Sequence, residues 1–338
     1  RFVRVRVGGD IALLKGVMKE LLALEAERGG VLDHGFLTEH TRGFEGFAKA
    51  LGTHGFEELE SSSGVSRREM RELAELYAAS HRTIACWAMG LTQHRHGVGN
   101  VQELMNLLLL RGNIGRPGAG PCPVRGHSNV QGDRTMGIWE RPRSEFLDAL
   151  EGEFGLPMPR RPGLSTIEAI TAMAEGRAQV FVGLGGNFAV ASPDSAVVEA
   201  ALTRQTLTVH VATKLNRTHL LGREVLLLPC LGRSERDLQR SGAQFVTVED
   251  SMARVHRSEG RLPPISAQLA SEPAIVAGIA RATLGESCRV PWEELVASYD
   301  RIRERIARVV PGCEDMNARV RTRYGFTLPR PPVERRFE

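Results

Sequence analysis

The chain is poor in several things, and each shortage narrows what it can be. Aromatic residues make up only 5% of its 338 residues, which argues against a β-sandwich and for a core of Ala, Leu and Val. No stretch is long and apolar enough to span a bilayer. The five cysteines, Cys86, Cys122, Cys230, Cys288 and Cys313, never come within four residues of one another. There is thus no CxxC spacing for zinc or an iron–sulfur cluster, and no metal-ligating set is assigned. Scattered cysteines in odd number fit reduced thiols and a cytoplasmic setting. Charge of one sign is also lacking. A net charge of +4 is small against 44 basic and 40 acidic residues, so composition does not point to nucleic acid. The chain begins at Arg1, without Met or a secretory signal, and reads as a piece of a longer polypeptide.

What is present centres on residues 82–137. An apolar run from Thr83 to Trp87 reads as a buried strand, and Met89-Gly90-Leu91-Thr92-Gln93 as a turn. A helix is expected from Asn100 to Arg111, ended by Gly112 in the left-handed position. The following loop holds Gly115, Pro117, Gly118, Gly120, Pro121 and Pro123, yet carries Arg116, Arg125, His127, Asn129 and Gln131. Long polar loops are expensive to order, and they often serve function. A strand–turn–helix with glycine at the turn lets backbone N–H groups approach a phosphate. Gln93 and Asn129 suit the edge of a heterocycle, and Arg125 offers a planar fork to a carboxylate or phosphate. On spacing alone, a plain glycine-rich connector with solvated polar residues is an equal alternative.

The rest of the chain is read as α/β. Residues 1–7 alternate like a half-buried strand, and Asp10 is the expected N-cap of the next helix. Ser66 with Glu69 forms a capping box ahead of a helix with Met70, Leu73, Leu76 and Tyr77 on its apolar face. His34 and His40 lack partners at metal spacing and read as surface or capping residues; His94 and His96 read as polar contacts. Residues 138–163 read as an extended crossover.

A second strand–turn–helix follows. A helix from Thr166 to Glu175 leads to a strand, Gln179 to Leu184, and the turn Gly185-Gly186-Asn187. The next helix is expected to start with Ser192 as N-cap and Pro193 in its first position. Strands are expected at Leu207 to Val211, Val225 to Leu228 and Gln244 to Val248, in a parallel sheet. Ligands of such sheets bind at the strand C-terminal ends, where Gly185, Gly186, Asn187, Thr213 and Lys214 fall. Helices with Ile275, Ile279 and Ala280, then from Pro291 to Val309, come next. Arg301, Arg303, Arg305 and Arg308 are placed on an exposed face of the latter, and residues 329–338 read as a linker.

These motifs carry a resemblance. Met89-Gly90-Leu91-Thr92-Gln93, Asn100-Val101, Gly112-Asn113-Ile114-Gly115-Arg116-Pro117-Gly118, Pro123-Val124-Arg125-Gly126 and Asn129-Val130-Gln131-Gly132 resemble, in register, the molybdopterin oxidoreductases related to formate dehydrogenase. The resemblance implies two adjacent doubly wound, Rossmann-like α/β domains, incomplete at both ends. Residues 1–132 would end a first cofactor-binding domain, 133–285 form a second dinucleotide-binding domain, and 286–338 form a helical segment and linker. It implies molybdenum or tungsten held by two molybdopterin guanine dinucleotides, one arm on each domain, and two-electron redox of a small anionic substrate such as formate. Met89, Gly90, Thr92, Gln93, Gly185, Gly186, Asn187, Thr213 and Lys214 would hold the cofactor. Arg125 would orient the substrate and His127 carry a proton. A 4Fe-4S cluster and the residue ligating the metal would lie upstream, and an electron-transfer subunit would be a partner. The chain departs from the family at His127, where formate dehydrogenases usually have Gln. It departs again at Val209 or His210, where an acidic residue is common. A different class remains open for the chain alone: a nucleotide- or pterin-binding module without catalysis.

Overall fold

A computed structural model describes residues 2–285, 288–329 and 335–337. They form two compact units. The first runs to His127 and takes in residues 335–337, and the second is Ser128–Pro329.

The first unit is mostly helical. The Asp10–Arg28 helix is its axis, and its Met18, Leu21 and Leu24 are buried with Met70, Ala74, Leu109 and Leu110 from the helices around it. Gly9, not Asp10, holds the N-cap position; Asp10 is the first helical residue, where its charge suits the dipole. The capping box forms as expected, Ser66 accepting from Glu69 N and Glu69 reaching back to Ser66 N, and opens the Arg67–Ala79 helix. Leu76, assigned to that helix's apolar face, is instead exposed. Residues 2–7 do not form a strand. Alternation supplies a half-buried pattern, but a strand needs a neighbour for its backbone groups. The backbone bonds here are Arg6 N to Ser63 O and Gly9 N to Arg6 O, which are turn contacts.

Two parallel strands, β1 (Ile84–Trp87) and β2 (Gly120–Pro123), complete this unit's regular structure. Between them lies the Gly97–Leu110 helix, which starts three residues earlier than expected. Gly97 permits that start, because a Cβ there would lie 2.3 Å from the Thr92 carbonyl oxygen. Of the tail expected as a linker, residues 330–334 and 338 lie outside the described residues. Phe337 is buried, its ring 4.8 Å from Phe47 and 5.7 Å from Phe44. Arg42 pairs with this tail through backbone bonds to Arg335 and Phe337, each 3.0 Å.

The second unit is built on a parallel sheet, β3 (Val180–Leu184), β4 (Leu207–Ala212) and β5 (Glu224–Pro229), in that order. The Thr166–Ala174 and Ser195–Thr203 helices bury Ile170, Met173, Val198, Ala201 and Leu202 against it. Ser195–Thr203 is capped by Asp194, not Ser192, since a short Phe188–Ala191 helix already uses Ser192 as its end. After a small hairpin, β6 (Leu238–Gln239) with β7 (Gly242–Ala243), comes β8 (Val246–Glu249). This expected fifth strand does not join the parallel sheet. It pairs antiparallel with β9 (Arg254–Ser258), which pairs antiparallel with β10 (Phe326–Thr327). The link from β8 to β9 is too short for the crossover that parallel pairing requires.

Two further expectations are corrected here. Residues 138–163 contain a helix, Ser144–Phe154, with Leu147 buried. The single long helix from Pro291 is two, Trp292–Ala297 and Tyr299–Val309. On the second, Arg303 is not exposed but 3% accessible, donating to Asn317 Oδ1 (2.7 Å) and Phe245 O (2.9 Å) and lying over the Phe245 ring. Arg305 and Arg308 both pair with Glu153, whose carboxyl is held below the usual range by Arg308 and then Arg305 against a desolvation that opposes them.

Candidate functional site

In the first unit the C-terminal ends of β1 and β2 lie side by side, with Trp87 opposite Pro123. Met89, Gly90, Thr92 and Gln93 follow β1 and are all exposed. The expected turn is a single helical turn, Met89–Thr92, with Gln93 at its C-cap. That turn is held from beneath: the buried Asn100 donates to Leu91 O at 2.7 Å. A His94 ring nitrogen, Nε2, lies 2.6 Å from Gly90 O. Arg125 stands two residues past β2 and is half-buried; His127 is exposed. Met89 Cε would lie 3.8 Å from a Cβ on Gly126, so the turn and the arginine loop are neighbours. The structure therefore brings Met89–Gln93 and the Arg125 loop together within one unit.

Other polar residues of the glycine-rich segment do a different job. Asn113 is fully buried; its Oδ1 accepts from Thr83 N (3.1 Å) and Arg116 Nη2 (3.1 Å), and its Nδ2 donates to Tyr77 Oη (2.8 Å). Arg116 also donates to Arg111 O at 2.6 Å, so its fork faces the protein. Asn129 and Gln131, which lie in the second unit, are likewise committed. Asn129 Oδ1 accepts from Glu249 N (2.9 Å), and Gln131 Nε2 donates to Glu249 Oε1 (2.5 Å). Thr135 donates to the other oxygen of that buried carboxylate at 2.6 Å. Asn129 is thus a structural clasp and not a reader of a heterocycle edge.

In the second unit the turn after β3 has Gly185 and Gly186 in the left-handed region, φ 70° and 74°. Both are exposed, with no atom within 4 Å of where a Cβ would stand. Their backbone is open for close approach. Gly185 N donates to Val211 O (2.8 Å), which sets the turn against the end of β4. Thr213 and Lys214 follow β4 directly and are exposed. A cavity of about 170 Å³ is lined by Thr213, Lys214, His210, His219 and the end of β5. His210 is 3% accessible, and its Nε2 has no hydrogen-bond partner among the described residues. Burial, then the neighbouring His219, pushes its pKa down, which favours the neutral imidazole. A neutral, buried imidazole nitrogen with no protein partner at a cavity is what a hydrogen-bonding heterocycle would satisfy.

Sequence reading missed the residues that brace this turn. Asn216 donates to Gly186 O (2.8 Å), and Thr218 Oγ1 bonds Asn187 Oδ1 (3.0 Å) while accepting from Ala189 N (3.0 Å). His219 lies under His210 with ring centroids 4.7 Å apart. The signal was available: Asn216 caps the Arg217–Leu220 turn, and Asn three residues before a hydrogen-bonding side chain is a capping pattern. Among the described residues no group of three His, Cys, Asp or Glu could hold a metal ion, and no helix is long and apolar enough to cross a membrane.

Comparison with known proteins places this geometry in a family. No family model matches the chain. An uncharacterized oxidoreductase of Mycobacterium tuberculosis is 52% identical over 339 residues, which is 99% of this chain and 43% of that protein. Protein YdeP of Escherichia coli is 50% identical over 342 residues, 99% of this chain and 45% of that protein. A putative formate dehydrogenase, YrhE, of Bacillus subtilis is 30% identical over 201 residues, 56% of this chain and 20% of that protein. The chain therefore spans less than half the length of the curated relatives it matches throughout. Among solved structures, acetylene hydratase from Pelobacter acetylenicus superposes with a TM-score of 0.54 at 16% identity, over 86% of this chain and 40% of that one, a likeness of fold. The motifs from Met89 to Gly132, the mixed α/β fold with parallel sheets and the oxidoreductase relatives agree, and the chain belongs to the molybdopterin oxidoreductase family.

Proposed function

We propose that the polypeptide carrying this chain oxidises or reduces a small anionic substrate by two electrons, using molybdenum or tungsten bound by two molybdopterin guanine dinucleotides. The observation that carries this reading is the second unit's open glycine turn beside the cavity of His210 and Lys214. Gly185 and Gly186 offer backbone to a phosphate without a side chain in the way. Lys214 and Thr213 supply a cation and a hydroxyl, and His210 Nε2 supplies the unmet hydrogen bond for a guanine edge. In the first unit Met89, Gly90, Thr92 and Gln93 serve the other dinucleotide. The metal centre, when bound, supplies the two-electron redox chemistry. Arg125 binds and orients the substrate anion and holds negative charge as it develops. His127, exposed and next but one to Arg125, moves the substrate's proton to or from solvent. The metal-ligating residue, a 4Fe-4S cluster and a redox partner subunit belong to the polypeptide and assembly beyond this chain. Formate is the first substrate to try.

The test is metal and guanosine monophosphate content of the natural polypeptide, made in a host that assembles the cofactor. One metal with two guanosine monophosphates supports the reading. Guanine nucleotide without metal favours a non-catalytic binding module, and neither removes both. Arg125→Ala should then abolish turnover with cofactor content unchanged; undiminished turnover would refute its role.

A further inference from the structure

Cys86 and Cys122 are far apart in sequence and adjacent in space. They are direct partners in the parallel register of β1 and β2, so their side chains project from the same face. Neighbouring strands lie about 4.7–4.9 Å apart, inside the range of about 4.4–6.8 Å between the Cα atoms of a disulfide. Cysteines that merely fill a strand pair are buried. Here Cys86 is exposed and Cys122 half-buried, whereas Cys230 and Cys313 are the buried ones. No role in the proposed redox site uses either thiol.

We propose that Cys86 and Cys122 are a reversible dithiol–disulfide couple that closes across β1 and β2 under oxidation by a hydroperoxide. One thiol attacks the peroxide oxygen, giving a sulfenic acid and releasing water, or an alcohol from an organic peroxide. The second sulfur then displaces the sulfenic oxygen, which leaves as water, and the S–S bond forms. Two thiols lose two electrons and two protons, and the peroxide takes up both. A small dithiol reverses the step by exchange through a mixed disulfide. The neighbouring Cys122 sulfur, and then burial, push the Cys86 thiol pKa up. The thiolate is the nucleophile, so a raised pKa slows the first attack.

The position gives the bond a consequence. Each cysteine stands three residues before a candidate site residue, Met89 on one side and Arg125 on the other. The strands are still hydrogen-bonded where these segments depart, Val124 N donating to Trp87 O at 2.7 Å. A disulfide one step earlier fixes the spacing of the cofactor turn and the substrate arginine. This effect on cofactor or turnover rests on the function proposed above; formation of the bond does not.

The experiment treats the full natural polypeptide with hydrogen peroxide, blocks free thiols with iodoacetamide, and maps peptides by mass spectrometry before and after dithiothreitol. The expected result is a cross-linked Cys86–Cys122 peptide that dithiothreitol releases, with Cys230 and Cys313 alkylated only on denaturation. Cys122→Ser and Cys86→Ser should each abolish that peptide, with circular dichroism unchanged from wild type. Sulfinic acid on Cys86 without a cross-link would overturn the proposal, as would two thiols that stay fully alkylatable. The readout needs neither metal nor turnover. A cross-link in a polypeptide that binds no guanine nucleotide would keep this inference and sink the functional one.

Discussion

Asn113→Ala is the sharpest test of how the glycine-rich segment is held. The side chain is fully buried and makes three hydrogen bonds, to Thr83 N, Arg116 Nη2 and Tyr77 Oη. Two of the partners keep another bond after truncation, Arg116 to Arg111 O and Tyr77 to Leu107 O. Each of those losses costs about 0.5–1.5 kcal/mol net. Thr83 N loses the acceptor shown for it at the mouth of β1, and an unsatisfied buried donor costs about 1–3 kcal/mol. The sum is about 4 kcal/mol, a large share of the roughly 5–15 kcal/mol that holds a typical domain. Urea unfolding followed by circular dichroism reads it: with a slope of about 3 kcal/mol/M the midpoint should fall by about 1 M. If Asn113→Ala unfolds within about 0.5 kcal/mol of wild type, the hydrogen-bond account of this loop is wrong.

Two further outcomes are expected. Phe337→Ala removes a ring packed on Phe44 and Phe47 and should cost about 3 kcal/mol; hydrogen exchange at the Arg42 amide should quicken while that in β3 to β5 stays as it was, and unchanged Arg42 protection would refute the docked tail. The Tyr77 hydroxyl is pushed up to about 12, chiefly by burial, from an ordinary value of 10.0. A raised pKa means the folded state holds its proton longer, so this contribution is complete below pH 10 and is lost as pH climbs from 10 to about 12. Two units amount to about 3 kcal/mol; urea titrations should show that loss in wild type and not in Tyr77→Phe, and parallel curves would sink the assignment.

Legibility tracked how local the determining interaction was. The capping box at Ser66 and Glu69, the glycine turn after β3 and the strand cores of β1, β3, β4 and β5 are set by residues a few positions apart, and they were readable. The Ser144–Phe154 helix was masked by prolines on both sides, Pro142 and Pro157, although Phe146, Leu147, Leu150 and Phe154 keep helical spacing. Residues 2–7 show the converse: a strand-like alternation that pairs with no strand among the described residues. Arg303 was read as solvated because arginine usually is. Its burial depends on Asn317, Phe245 and Asp300, which no periodicity brings into view. In the candidate site, the residues of the turns were nominated by the resemblance, whereas the braces Asn100, Asn216 and Thr218 act through carbonyls and side-chain oxygens that no local pattern brings into view.

The division between exposed and committed polar residues says how the glycine-rich segment can be both long and ordered. Ordering a residue costs about 1–2 kcal/mol of backbone entropy, and a loop this poor in apolar side chains buries little to offset it. In the first unit the offset comes from Asn113 and Arg116, which tie the loop to Thr83, Tyr77 and Arg111. In the second it comes from the Glu249 carboxylate, which gathers Gln131 and Thr135 while its own N–H is taken by Asn129. These polar residues look like ligand readers in sequence, and they are the loop's internal frame. Because that frame is satisfied by the protein, a ligand reaching Arg125 would not have to spend its binding energy on ordering the segment. On the proposed function, affinity would be set by the few groups the frame leaves outward, and replacing one of those should change binding far more than folding.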